Sequence, residues 1–427
     1  MKKRSLKRVI VIGGGASGLM AAITAAREGA KVILIEKNRQ AGKKLLATGN
    51  GKCNFTNRDQ HLSHYRSDHM ELVEEVLKAF SMESAVAFFE DLGILVKDRC
   101  GYLYPNSGQA SSIVNVLRLE VHRLSGAHLI KEAYNTEVLA VDRQDGVFKV
   151  RTEGWTYEGE AVILACGSEA APKTGSTGDG YRFAENLGHH VIPPLPALTG
   201  LYAYENDRGT LAGVRMDAMV TLRINGKICT TEEGEVQFAS YGLSGIPVFQ
   251  VSRYVSRALK AGSRCEIDLD LCTAYSVQEL TQLLIKKGQY TRERRGTDIM
   301  LGIFPEKLSQ VLLSRAGISE RKSRREWTDE DCRQLAGQIK KFSFHIFGCR
   351  GYEQAQVCTG GVPLTELKGV SMESAVVPGL YFAGELLDVD GACGGYNLQW
   401  AWSSGFLAGT HAAGNESYLF SSLAHNL

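Results

Sequence analysis

The chain has 427 residues, 44% of them hydrophobic, with 49 Lys and Arg against 47 Asp and Glu for a formal net charge of +2. At roughly 150 residues per domain, this is room for two or three domains with sizeable cores. The balanced charge removes any general electrostatic pull toward nucleic acid or an anionic membrane, which leaves a small molecule as the expected partner.

Met1–Arg8 is basic and the charge-free run from Val9 to Ala26 has the length of a signal peptide or membrane span. Three glycines, Gly13-Gly14-Gly15, interrupt that run, and Arg27 and Glu28 close it without a small-x-small cleavage site. A second apolar strand follows from Lys31 to Ile35. The segment is therefore read as one βαβ unit, and the chain as cytoplasmic with no membrane partner.

Gly13, Gly15 and Gly18 fit G-x-G-x-x-G between a β-branched strand and a helix. Gly13 allows the tight turn, Gly15 lets the backbone approach a pyrophosphate, and Gly18 lets the helix lie close to the sheet. The helix N-terminus offers free N–H groups and a partial positive charge to the phosphates. Glu36, at the end of the second strand, is placed to accept hydrogen bonds from ribose hydroxyls and would repel a 2′-phosphate, so FAD or NAD is favoured over NADP here.

Further along, His61, His64 and His69 cluster in a polar stretch whose spacing suits a solvated loop better than a metal site, and no metal is expected. The ten cysteines show no CxxC or Cys/His ligand spacing, which fits free thiols in a reducing compartment and argues against a redox-active disulfide. Glycines 175, 178 and 180 fit no strand-turn-helix frame, so a second dinucleotide fingerprint is absent.

After the Pro193-Pro194-Leu195-Pro196 break, short strand-like runs dominate from about 190 to 267. From 275 to 338 the pattern is helical, with Ser276–Glu279 and Thr328–Asp331 reading as capping boxes. The basic clusters 292–295 and 321–325 are interleaved with acids and poor in aromatics, which predicts a solvated helical face. Phe342 to Phe347 returns to strand character, and near Val357 the chain re-enters the first domain. Residues 378–384 then read as a turn and short strand, 385–390 as an acidic loop, and Gly394-Gly395 as the lead into a helix starting at Tyr396.

The segment 41–57, Ala-Gly-Lys-Lys-Leu-Leu-Ala-Thr-Gly-Asn-Gly-Lys-Cys-Asn-Phe-Thr-Asn, resembles the signature of the BaiN-like flavoproteins, also called the YhiN or aminoacetone-oxidase family of FAD-dependent oxidoreductases. Segments 162–167, 172–181 and 379–409 agree with it, so the resemblance spans both ends of the chain. It implies an α/β fold: a discontinuous Rossmann-type FAD-binding domain with an inserted β-barrel-like domain and a helical subdomain. The boundaries expected are 1–190 and 357–427 for the FAD domain, 191–270 and 341–356 for the β-rich insertion, and 271–340 for the helical part.

The resemblance also implies cofactor contacts. These are Gly13, Gly15, Ala16, Ser17, Gly18, Glu36 and Lys37 around the fingerprint, then Lys44, Asn50, Gly51, Cys53 and Asn54 in the signature loop. Val138 lies in a strand that resembles the one meeting adenine, and Cys166, Gly167, Gly384, Glu385, Asn397 and Leu398 complete the set. The helix at Tyr396, if aimed at the flavin, would stabilise negative charge on the ring. FAD is expected to be non-covalent, with NAD(P)H as a transient electron donor. Tyr241 is a candidate proton donor, although 238–245 departs from the family pattern at Ala239 and Ser240, so no acid–base role carries over to those positions.

Three functions remain open at this level. One is an NAD(P)H-linked reductase of an activated C=C in an unsaturated 3-oxo steroid or bile-acid-like substrate. The second is an oxidase of a small amine such as aminoacetone, with O2 as acceptor. The third is a flavin-bearing RNA-associated or binding protein. No nucleic-acid partner is expected, and the oligomeric state is not legible.

Overall fold

A computed structural model describes residues 6–290 and 295–415. It divides into two compact units: one formed by the chain up to Pro194 and again from Val357, the other by Leu195–Gln356.

The first unit is built on a parallel five-stranded sheet in the order Leu380–Phe382, Ala161–Leu164, Arg8–Ile12, Lys31–Ile35, Ile130–Ala133. Parallel strands covered on both faces read as unbroken apolar runs. Val9, Ile10 and Val11 accordingly have no exposed surface. The helix Ala16–Arg27 follows the first strand, and the C-terminal helix Tyr396–Ala412 packs beside it. That packing is unusually close. A Cβ on Gly405 would stand 2.5 Å from the Ser17 carbonyl oxygen, and one on Gly409 2.5 Å from that of Ala21. Two glycines one helical turn apart thus let the two backbones touch.

The second unit contains a closed six-stranded barrel. Its order is Leu201–Ala203, Gly242–Ser244, Lys227–Ala239, Arg215–Ile224, Cys265–Asp270 and Phe342–Cys349, the last pairing back onto the first. Closure removes the exposed edges that open sheets must protect. Helices Val277–Tyr290, Glu306–Arg315 and Asp329–Lys340 accompany it. The capping boxes form as read: Glu279 N–H donates to Ser276 Oγ at 3.2 Å and Ser276 N–H to the Glu279 carboxylate at 2.8 Å. Likewise Asp331 N–H donates to Thr328 Oγ1 at 3.1 Å and Thr328 N–H to the Asp331 carboxylate at 2.6 Å.

Two readings of this region are corrected. The stretch taken as short strands holds a 15-residue helix, Ile246–Lys260, and two long strands. Val248, Val251, Val255 and Ala258 give the helix one buried face, and Pro247 suits its first turn. The basic cluster 321–325 is not wholly a solvated face: Arg324 is buried, donates to the Leu284 carbonyl at 3.3 Å, and lies over the Trp327 ring. Residues 292–294 of the other basic cluster lie outside the described residues.

Candidate functional site

The fingerprint turn is shaped by contacts that exclude side chains. Gly13 has φ +104°, and a Cβ there would stand 2.4 Å from the Ala165 carbonyl oxygen. A Cβ on Gly18 would overlap the Gly13 carbonyl oxygen at 1.8 Å. Gly15 is different, since a Cβ built on it meets nothing within 4 Å. It is the N-cap of helix Ala16–Arg27, and no side chain caps that end. Open space in front of an uncapped helix N-terminus suits an anionic ligand.

Glu36 is nearly buried beside this turn. One carboxylate oxygen accepts from Gly14 N–H at 2.7 Å, and the other from the backbone and side-chain N–H groups of Asn38, each at 2.7 Å. Three of about four acceptor positions are filled, so a ribose hydroxyl can still be received. Asn38 also donates to the Thr174 carbonyl at 3.0 Å, linking the fingerprint to segment 172–181. It is absent from the sequence-predicted set, and nothing in its local pattern marks it. The Thr136 N–H donates to the Glu36 carbonyl at 3.0 Å, which carries the start of strand Val138–Gln144 to the same end of the sheet.

Lys37 pairs with Asp179 at 2.6 Å and also donates to Thr177. Burial alone would raise the Asp179 carboxyl, but hydrogen bonds from Lys37 and Thr177 outweigh it and hold the group below the usual range. Lys44 pairs with Glu385 at 2.7 Å, and Glu385 accepts from Ser168 Oγ at 3.1 Å. Both lysines are thus held by carboxylates.

Cys166 and Cys53 are neutral thiols at pH 7. Burial pushes Cys166 up to about 12 and Cys53 up to about 11, the latter against a lowering hydrogen bond with Thr48. Cys53 has φ +55° and Asn50 φ +52°, so the signature loop turns sharply, with Asn50 and Gly51 exposed at its tip. Asn54 is buried, and its side-chain oxygen has no hydrogen-bond partner among the described residues.

The loop and the C-terminal helix are clamped together. Thr56 Oγ1 donates to Gln399 at 2.7 Å, Trp402 Nε1 to the Phe55 carbonyl at 2.9 Å, and Asn57 to the Gly394 carbonyl at 3.0 Å. Gly395, with φ +96°, caps the helix, and a Cβ there would meet Thr56 backbone at 2.8 Å. Gly384 sits against Ser17, where a Cβ would be 2.4 Å from the hydroxyl, and its N–H and C=O are bonded to Ser404 and Trp400. The Asn397 side chain is taken up by Gly391 and Ala392, bracing the glycine loop from within, and Leu398 is half-buried beside it. Gly167 has φ +74° and abuts Ser176.

Tyr241 lies in the second unit. Its ring is under the Arg350 guanidinium at 4.7 Å, and its hydroxyl makes no hydrogen bond among the described residues. Of the histidines, His64 pairs with Asp59 at 2.8 Å and stacks on Tyr396 at 4.4 Å, and no cluster of metal-binding side chains occurs among the described residues. His189 stands between Glu366 at 2.5 Å and Ser374 Oγ at 2.7 Å. This imitates a hydrolase relay, but Ser374 is fully buried and accepts from Val376 and Val377 N–H groups, so it braces a turn.

Residues 7–411 match the family model described as "HI0933-like protein Rossmann domain". The chain belongs to this family. It is 38% identical to the 3-dehydro-bile acid delta(4,6)-reductase of Clostridium scindens over 96% of this chain and 99% of the relative. It is 29% identical to the ribosomal RNA dihydrouridine synthase of Haemophilus influenzae over 93% of this chain and 96% of the relative. The Escherichia coli protein of the same name is 29% identical, over 92% of this chain and 95% of the relative. The chain is an FAD-dependent oxidoreductase of the HI0933-like family.

The residues present fit that cofactor. Space is open at Gly15, one acceptor position remains on Glu36, and the side-chain oxygen of buried Asn54 has no partner among the described residues, which is compatible with a bound dinucleotide. Among the described residues, no helix is long and apolar enough to cross a membrane.

Proposed function

We propose that this chain reduces an activated C=C in an unsaturated 3-oxo steroid or bile-acid-like substrate, with NAD(P)H as donor. The observation that carries the reading is the 38% identity, over almost the whole of both chains, to a protein named for that reaction. The balance is one enone, one NAD(P)H and one proton giving the saturated ketone and NAD(P)+. FAD supplies two-electron transfer between donor and acceptor when bound. The Gly15 turn and Glu36 hold the dinucleotide, and the Tyr396–Ala412 helix N-terminus is held at the Asn54 loop to stabilise anionic charge. Burial keeps Cys53 and Cys166 as thiols and so disfavours a thiolate nucleophile at either position.

Anaerobic stopped-flow absorbance tests this. Bleaching of the yellow FAD-loaded protein by NADH or NADPH, then reoxidation by a 4,6-dien-3-one steroid with a product two hydrogens heavier, supports it. Bleaching by aminoacetone instead, with peroxide formed on admitting air, overturns it in favour of an amine oxidase.

A second reading is supported by the two dihydrouridine synthases, each 29% identical. The uracil C5=C6 bond is also conjugated to a carbonyl, so the same chemistry would then act on an RNA base. Reoxidation by a uridine-containing RNA, and not by the steroid, distinguishes it.

A further inference from the structure

The second unit carries an aromatic strip that the cofactor site does not use. Tyr204 and Phe347 are 65% and 46% exposed. Their ring centroids are 4.6 Å apart, Phe347 stacks on Tyr202 at 5.6 Å with 18° between planes, and Tyr202 meets Tyr241 edge-on at 5.7 Å. The strip ends at Arg350, whose guanidinium lies 4.7 Å from the centre of the Tyr241 ring. Neither the Arg350 guanidinium nor the Tyr241 hydroxyl has a hydrogen-bond or ion-pair partner among the described residues. Both are half-buried.

These positions come from different barrel strands and turns, and the backbone holds them in place. Arg350 N–H donates to the Gly200 carbonyl at 2.8 Å, and Thr199 Oγ1 to the Arg350 carbonyl at 3.3 Å. The Tyr241 hydroxyl lies so close to Gly200 that a Cβ there would be 2.6 Å from it. Exposed aromatics in contact, ending in two unspent donors, make a surface with one polar end.

We propose that this strip binds an apolar fused-ring ligand lying along Tyr204, Phe347 and Tyr202, with an oxygen acceptor of that ligand held by Tyr241 and Arg350. A charge-assisted donor beside a phenol matches a ketone or carboxylate oxygen. Apolar rings bury area against aromatic faces without needing further polar partners. A nucleic acid fits less well. Glu205 adds a carboxylate at the Tyr204 end that would repel a phosphate chain, and the Arg208 guanidinium there is already engaged by the backbone carbonyls of Tyr204 and Glu205. The proposal rests on the steroid reading above and adds the surface that recognises that class.

The test is equilibrium dialysis of oxidised, FAD-loaded protein with two probes: a 4,6-dien-3-one steroid lacking a carboxylate, and a 3-hydroxy steroid bearing a side-chain carboxylate. Phe347→Ser and Arg350→Met are each expected to weaken binding about tenfold or more, with Tyr241→Phe weakening it about threefold, while FAD content and melting temperature stay at wild-type values. Loss confined to the first probe assigns the oxygen to the ketone; loss confined to the second assigns it to the carboxylate. Wild-type enone turnover with unchanged steroid binding in all three variants overturns the strip and leaves the proposed function standing. Strip-dependent steroid binding without turnover supports the strip and removes the function. Strip-dependent binding of a single-stranded RNA, with no steroid bound, overturns the proposal.

Discussion

Lys44 Nζ stands 2.7 Å from the Glu385 carboxylate and ties the signature loop to the turn that follows the last strand of the parallel sheet. Ser168 Oγ adds a hydrogen bond at 3.1 Å, so three motifs far apart in the chain share one carboxylate. Lys44→Met leaves that carboxylate partly buried without its cation. The expected result is a loss of about 1–2 kcal/mol in urea-unfolding stability together with a lower flavin-to-protein ratio after gel filtration. Unchanged values of both would show that the pair has no part in holding the loop.

Gly15 and Gly405 should separate cofactor binding from folding. Gly15→Ala places a methyl in open space, so melting temperature should hold while FAD affinity falls at least tenfold. Gly405→Ala drives a methyl to 2.5 Å from the Ser17 carbonyl and should cost about 1–3 kcal/mol, because the two helices must separate. Thermal unfolding and FAD titration on both variants check the contrast.

The Lys37–Asp179 pair gives stability a pH dependence with a definite sign. The Asp179 carboxyl titrates lower in the folded chain than in the unfolded one, so its contribution is complete above the ordinary aspartate value of about 4 and is lost as pH falls through the folded value. Asp179→Asn should therefore be less stable than wild type at pH 6, with the difference shrinking as the pH is lowered below about 4. Urea midpoints measured from pH 3 to 6 would show this; a difference that grows toward acid would contradict it.

Ser374 should not react as a hydrolase nucleophile. Its burial and its two backbone N–H donors predict no labelling by a fluorophosphonate probe under native conditions. Ser374→Ala should cost about 1–3 kcal/mol, since His189 and two N–H groups lose their partner. Labelling at Ser374 in the folded protein would sink this account.

Thiol reactivity should follow exposure. Brief alkylation with iodoacetamide at pH 7.5, read by peptide mass spectrometry, should modify Cys100 and Cys229, which are exposed, well before Cys53. Fast modification of Cys53, which is buried, would mean that the closed signature loop does not persist in solution; half-buried Cys166, held by a hydrogen bond to the Ile12 carbonyl at 3.5 Å, should react at an intermediate rate.

The strand, glycine turn and helix around Gly13, Gly15 and Gly18 are legible in the chain because each glycine answers a constraint within a few residues, and the capping boxes at Ser276 and Thr328 are legible for the same reason. The helix Ile246–Lys260 carried a readable signal in the spacing of Val248, Val251 and Val255, obscured by the strand-rich sequence around it. Asn38 gave none, since its role depends on where segment 172–181 lies in space. Nor do Gly405 and Gly409 announce the helix they touch; an apolar C-terminal helix with glycines reads alike whatever packs on it.

By itself, then, the sequence determined the glycine turn, the acid beside it and, through resemblance, the α/β class and the flavin chemistry. Tertiary structure alone decided which carboxylates hold Lys37 and Lys44, left the Asn54 oxygen without a partner, and assembled Tyr202, Tyr204, Tyr241, Phe347 and Arg350 into one strip. The physical reason is range. Turns, caps and periodic faces are set by forces within a few residues, whereas these juxtapositions follow from sheet order and barrel register, which join positions far apart in the chain.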